Sequence, residues 1–267
     1  MMAERIPRGR TKGWLRAAAA GGLMAWTGMA AAEPPGPVLE LDATKLWNPG
    51  LLSVWKDSSG HGNDVSQKSH DKQPTFDQNF HNHQPAVVFR EGEYLDGPAV
   101  LPAGAKALTY VAVWQRTKTG DNESIIEQAA KGRGRRAALL TVGARYGFDG
   151  EGNDQDELMP FEADRFAVSV LRLEPDGNVT LFHNGHANSG PIDMAKENLG
   201  ADGLRIGGKI YGGAEAFTGA MEEIRVYDRA VTDAEALAIT AELVKKWMIE
   251  VEATPPKKAS VNETTTK

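Results

Sequence analysis

The chain has 267 residues, a formal net charge of −6 and no cysteine. An acidic chain is a poor candidate for gripping nucleic acid or an anionic membrane surface through bulk charge. A cysteine-free chain cannot lean on disulfides and needs a real hydrophobic core or a bound metal.

Residues 1–32 begin with Arg5, Arg8, Arg10, Lys12 and Arg16, run through AAAAGGLMAWTGMA and end on Ala30-Ala31-Ala32. That is the pattern of a secretory signal peptide cut before Glu33. The apolar run is too short and too rich in Gly and Ala for a stable spanning helix, and no Arg-Arg pair precedes it. The expectation is Sec-type export to the periplasm, cell surface or exterior, with no integral membrane segment in the mature chain. An uncleaved anchor is the alternative on the same pattern. Removing the +4 carried by residues 1–32 leaves −10. Residues 33–37 read as a short linker.

Beyond the linker, many short strands are separated by Gly, Pro, Asn and Asp. VLELDATKL (38–46) alternates. PAVVFREGEYLDG (85–97) reads as strand, glycine turn and second strand. In ALTYVAVWQR (107–116), Leu108, Tyr110, Ala112 and Trp114 share one face, and Thr109, Val111 and Val113 the other. Both faces are largely apolar, which predicts a central strand covered twice. RAALLTVGARYGF (136–148) and RFAVSVLRLE (165–174) follow.

In VTLFHNGHANSG (179–190), Asn184-Gly185 predicts a two-residue type I′ hairpin. His183 and His186 then face each other across the strands, as an exposed polar pair or as two metal ligands lacking a visible third. His81 and His83, in FHNHQP, share a face if extended; the plainer reading is a solvated loop before Pro85.

VTDAEALAITAELVKKWMI (231–249) predicts a helix. Thr232 and Glu235 form a capping box, and Ala236, Ile239, Leu243 and Trp247 recur at helical spacing. This helix is expected against the sheet edge or one end of a sandwich. Residues 252–267 have a single aliphatic residue larger than Ala, Val261, and read as a disordered tail. Many strands with one terminal helix and no βα alternation predict an all-β sandwich of two antiparallel sheets.

Four segments carry a resemblance: WKDSSGHGND, QPTF, PAVVFREGEYL and FTGAMEEIRVYDRAVTDAEALAITAELVKKW. Together they resemble the laminin-G-like, concanavalin A-like jelly-roll domains, in the form common in exported bacterial proteins. The likeness covers roughly 38–249, within a domain placed at 38–251, and rests mainly on its closing segment; 117–200 match only as generic strands and the Asn-Gly hairpin. It implies a two-sheet antiparallel jelly-roll sandwich with a C-terminal helix, and often a structural calcium. It does not imply one activity, because members bind sugars, bind proteins or act as spacers.

In such domains, loops like 57–64 often contribute calcium ligands. Here Asp57 and Asp64 offer carboxylates and Asn63 an amide oxygen, the donor types calcium takes. Gly60 and Gly62 let the backbone bend. If Ile224 and Val226 face the core, alternation puts Glu222 on the same face, where it must be paired or coordinated. Glu222 is therefore a fourth candidate ligand, or the partner of Arg225 or Arg205. His61 stands where the family often has Asn. The alternative is a turn closed by Asx and Ser hydrogen bonds.

No E-x-D-x-x-E run, G-x-S-x-G, H-E-x-x-H or phosphate-binding glycine motif is present. GEGNDQDELMP (150–160) reads as a solvated acidic loop or weak cation site, and KGRGRR (131–136) as a basic surface turn that could meet sulfated or uronic sugars. Sugar C–H patches stack on aromatic faces. Of Trp47, Trp55, Trp114, Tyr146 and Tyr211, the two tyrosines lie near glycine-rich turns and are the expected ligand-binding residues. Three roles stay open: a non-catalytic exported module recognising a glycan or protein surface, a hydrolase or lyase acting on polysaccharide, and a structural partner of another envelope protein.

Overall fold

A computed structural model describes residues 35–117, 121–132, 134–212 and 215–251. The expected signal peptide and the tail at 252–267 lie outside the described residues. From the N-terminal side the strands are β1 (Leu39–Asp42), β2 (Gly50–Leu51), β3 (Val54–Trp55), β4 (Val65–Ser66), β5 (Thr75–His81), β6 (Gln84–Phe89) and β7 (Leu95–Gly97). The middle supplies β8 (Leu108–Arg116), β9 (Glu123–Ala129), β10 (Arg136–Val142), β11 (Arg145–Asp149) and β12 (Gln155–Pro160). Then come β13 (Ala167–Leu173), β14 (Asn178–His183), β15 (His186–Pro191), β16 (Gly203–Ile206), β17 (Gly219–Tyr227) and the helix α1 (Asp233–Lys246).

Two antiparallel sheets result. The first runs β15-β14-β13-β8-β17-β6-β5-β2, with β1 also on β17; the second runs β12-β11-β10-β9-β16-β7-β4-β3. The jelly-roll sandwich expectation holds. β8 lies between β13 and β17 and is buried along its whole length, as its doubly apolar pattern requires. Its inward Tyr110 reaches across the sandwich and donates to the Ala137 carbonyl of the second sheet at 3.2 Å.

Pleating sorts the second sheet into two sides. One cross-strand row, Phe148, Leu139, Ile126, Ile206 and Leu95, is wholly apolar and buried. The adjacent row, Asp149, Ala138, Glu127, Arg205 and Asp96, is mostly charged and lies on the outer side. The first sheet differs, because both of its faces carry apolar residues, and α1 covers the outer one. Asp233 of the helix binds Arg172 of β13 at 2.5 Å, while Glu242 and Lys246 bind Arg225 and Glu223 of β17 at 2.7 and 2.6 Å. The helix therefore crosses a sheet face, which corrects its expected place at an edge or end: Val111, Val113, Val168 and Val170 need a lid.

Thr232 and Glu235 form the capping box in full. Replacing Thr232 with Ala is expected to cost about 1 kcal/mol, measured as a lower urea midpoint at unchanged slope. No helix among the described residues is long and apolar enough to cross a membrane.

Two turns join hairpins with φ positive at both central residues. Asn184 and Gly185, at +48° and +87°, are the pair the sequence predicts. Asn82 and His83, at +47° and +62°, close β5 onto β6 tightly where a solvated loop was expected. Asn82 matches Asn184, and His83 stands where Gly185 does; Asn and His enter this region more readily than other non-glycine residues, so the turn carries no glycine to mark it.

Candidate functional site

The polar loop at 57–64 is closed by its own side chains. Asp57 Oδ1 accepts from the backbone N–H groups of Glu40 and Ser59, and Oδ2 from the N–H of Asn63 and the Ser59 hydroxyl, at 2.8–3.0 Å. Asp64 Oδ1 accepts from the Asp57 N–H at 2.9 Å, and its Oδ2 pairs with Lys56 at 2.5 Å. Asn63 Nδ2 donates to the Val38 carbonyl. Burial pushes Asp57 upward, but the N–H groups around it outweigh that and hold it below the usual carboxylate range. The loop, which connects β3 to β4, thus clasps β1 to the end of β3.

These residues do not fit a calcium site. A cation would have to displace Lys56 from Asp64 and four donors from Asp57. Among the described residues no three His, Asp or Glu side chains converge as a ligand set. Asp57→Ala is expected to lower the melting point equally in calcium and in chelator, by a loss of about 2 kcal/mol from orphaned N–H groups. A calcium-dependent shift in the wild type that the mutant lacks would restore the ion.

Glu222 does not join this loop. The pairing of β17 with β8 slips between Met221 and Glu223, so Glu222 is the extra residue of a β-bulge. The bulge breaks the alternation that placed Glu222 beside Ile224. Its carboxyl is fully buried and meets His81 Nδ1 at 3.4 Å, with no hydrogen-bond partner on either oxygen. Arg225 and Arg205 are not its partners: Arg225 binds Glu40, Glu223 and Glu242, and Arg205 binds Asp96.

The aromatic candidates divide sharply. Tyr146 is completely buried, which corrects its expected role as an exposed ligand-binding residue. The glycine after it, Gly147, is not a turn marker. It sits inside β11, where an added Cβ would lie 2.0 Å from the Gln155 carbonyl oxygen, so it permits close strand approach. Trp55 and Trp114 are also core. Tyr211 is 37% exposed and Trp47 80%. The Tyr211 hydroxyl donates to Asp202 at 2.6 Å, which fixes the ring.

Tyr211 stands at a cavity of about 410 Å³ on the charged outer side of the second sheet. Glu127, Lys131, Arg136, Glu151 and Lys209 line it with the tyrosine. Lys131 and Arg136 from the basic turn, Glu151 from the acidic segment, and Lys209 and Tyr211 meet here. Arg136 opens β10 and is only 2% exposed. Its guanidinium binds Glu127 at 2.7 Å, Asp149 at 3.1 Å and Glu215 at 2.5 Å, with Glu151 at 3.6 Å. Lys209 bridges Glu151 at 2.8 Å and Glu215 at 3.2 Å. Burial alone would lower Arg136, but Glu127, Asp149 and Glu215 keep it charged. Burial raises Glu127 and Asp149 beyond what Arg136 offsets.

The segment 150–160 is only half a loop. Asp154 Oδ1 accepts from the N–H groups of Gly150, Gly152 and Asn153, and Gln155 onward is strand β12. The basic turn is likewise only partly surface, since Arg136 is buried among its carboxylate partners on the outer side of the sheet. The arrangement is a fixed floor of alternating charge beside one oriented aromatic ring. Glu127 has both oxygens committed, Oε2 to Arg136 Nε and Oε1 to the Ile210 N–H. A carboxylate held this way is poorly placed to pass a proton to a substrate.

A family model described as the concanavalin A-like lectin/glucanases superfamily matches residues 90–236. No curated protein sequence matches the chain. Among solved structures, an arabinofuranosidase complexed with arabinofuranosyl-α-1,2-xylobiose superposes with a TM-score of 0.59 at 14% identity, over 74% of this chain and 51% of that one. An α-L-arabinofuranosidase soaked with 4-nitrophenyl α-L-arabinofuranoside gives 0.58 at 15%, over 79% and 54%. Trypanosoma rangeli sialidase in complex with sialic acid gives 0.56 at 15%, over 81% and 34%. The chain spans between a third and about half the length of these structures, and at such identities the likeness is one of fold.

Proposed function

The chain belongs to the concanavalin A-like lectin/glucanase superfamily, and from that premise we propose that it is an exported, non-catalytic module that binds a glycan in the cavity beside Tyr211. The observation that carries this reading is the convergence of an exposed, oriented tyrosine with Lys131, Glu151 and Lys209 around a recess of about 410 Å³. That volume lies in the range of small-molecule sites. A tyrosine face offers stacking to sugar C–H groups, and the charged rim offers donors and acceptors to hydroxyls.

Binding is favoured over hydrolysis because the acids at this floor are tied to Arg136 and Lys209 and are not left facing each other across a cleft. A polysaccharide panel separates the two. Retention of at least one polysaccharide, weakened tenfold or more by Tyr211→Ala with no reducing ends released, is the expected result. Sugar release abolished by replacing Glu127 or Glu151 would make the protein a hydrolase. Co-purification with an envelope protein and no glycan retention would support the structural-partner reading.

A further inference from the structure

A second cavity lies at the end of the sandwich, where β12 leads into β13 and the β14–β15 hairpin turns. Trp114, Phe161, Phe166 and His183 form its wall, and Glu250, His186 and the Glu162–Arg165 ion pair, 2.8 Å across, stand at its rim. Its volume is about 40 Å³, roughly three waters' worth. That is the size of three bonded heavy atoms.

Behind the wall runs a buried polar chain. Trp114 Nε1–H donates to Ser169 Oγ at 2.8 Å, Ser169 Oγ meets the Tyr146 hydroxyl at 2.8 Å, and that hydroxyl meets His183 Nδ1 at 2.6 Å. Only one direction uses every hydrogen: the serine hydroxyl donates to the tyrosine oxygen and the tyrosine hydroxyl donates to Nδ1. In the reverse direction the serine hydrogen would have no acceptor in the chain, a costly state for a buried group. The chain therefore fixes the tautomer of His183 with its hydrogen on Nε2. His183 is 8% exposed, and its Nε2 has no hydrogen-bond partner among the described residues. Burial, and then His186, pull it down to about 4, so it is neutral near neutral pH. Asn184 spends its Oδ1 on the Val168 N–H, leaving its amide hydrogens at the same cavity.

We propose that this cavity is a second binding site and that it takes an acetamido group. The methyl packs among Trp114, Phe161 and Phe166, the carbonyl oxygen accepts from His183 Nε2–H, and the amide N–H faces the rim carboxylates. Three features select this group: aromatic walls, N–H donors from His183 and Asn184, and carboxylates at the mouth. An acetamido group is carried by N-acetylated sugars and by acetylated peptides alike.

The test uses the full chain labelled with ¹⁵N-histidine and titrated with N-acetylglucosamine, glucosamine and N-acetylglycinamide. The free protein should show the His183 proton on Nε2. N-acetylglucosamine should move that resonance and bind at least tenfold tighter than glucosamine. Filling the cavity with Ala167→Leu should cost at least tenfold, whereas Tyr211→Ala should change nothing, which separates this site from the glycan cavity. Should Ala167→Leu fail to fold, the His183 resonance alone reads the outcome. N-acetylglycinamide binding as well as the sugar means the acetamido group is read whatever its carrier; binding of the sugar alone means the carrier is read too. A proton on Nδ1, equal binding of glucosamine, or no movement of the His183 resonance would overturn the proposal.

Discussion

Arg136→Met is expected to lower the melting point by on the order of 10 °C, the largest loss of any substitution on the outer side of the second sheet. Arg136 is the shared partner of Glu127, Asp149 and Glu215, and methionine keeps its packing while removing the charge. Breaking a buried ion pair on one side costs roughly 3–5 kcal/mol, because the remaining charges stay desolvated. A domain of this size loses roughly 2–4 °C for each kcal/mol. Part of the loss should return when Glu127→Gln is added, since the double variant leaves one buried anion fewer. Thermal unfolding of the two variants decides: a drop under about 3 °C for the single variant would mean that solvent already screens the cluster.

Glu222→Gln is expected to act in the opposite direction and stabilise the fold. Burial, and then the neighbouring charge of Glu223, push Glu222 up to about 9 against the pull of Lys246. Burial also lowers His81, although the charge of Glu250 opposes it, so the contact between His81 and Glu222 is one of two neutral groups near pH 7. The sign follows from linkage. The folded state holds the proton more tightly than the unfolded state, so the wild type loses nothing below the ordinary value of 4.5. Its stability falls as pH rises from there toward about 9, at roughly 1.4 kcal/mol per pH unit. At pH 7 the variant should be about 3 kcal/mol more stable, and at pH 4 equal to the wild type. Urea unfolding at both pH values measures this. A variant less stable than the wild type at pH 7 would show that Glu222 is held as an anion by a partner.

What could be read from sequence alone follows a physical division. Local signals came through intact: the doubly apolar β8, the Asn184-Gly185 turn, and the Thr232–Glu235 box that opens α1. Each depends on a few neighbouring residues. The failures depend on pairing between distant segments. The bulge at Glu222 is invisible in a strand that alternates well on either side of it. Tyr146 reads as exposed because Gly147 resembles a turn glycine, yet that glycine answers to β12, eight residues away at Gln155. The Arg136 cluster draws on five stretches between residues 127 and 215: the register of β9, β10 and β11 brings Glu127, Arg136 and Asp149 together, and the pairing of β16 with β9 delivers Lys209 and Glu215 from the chain that follows it. Tyr211 was legible as an exposed aromatic, but its neighbours across the cavity were not.

The account depends most on the outer face of the second sheet being the side that meets a glycan. Chemical-shift mapping of the ¹⁵N-labelled chain with a polysaccharide that it retains tests this directly. The expected perturbations gather at Lys131, Glu151, Lys209 and Tyr211, and they vanish in Tyr211→Ala. Perturbations confined instead to Trp47 and the β2–β5 edge, with Tyr211→Ala binding as tightly as the wild type, would contradict it.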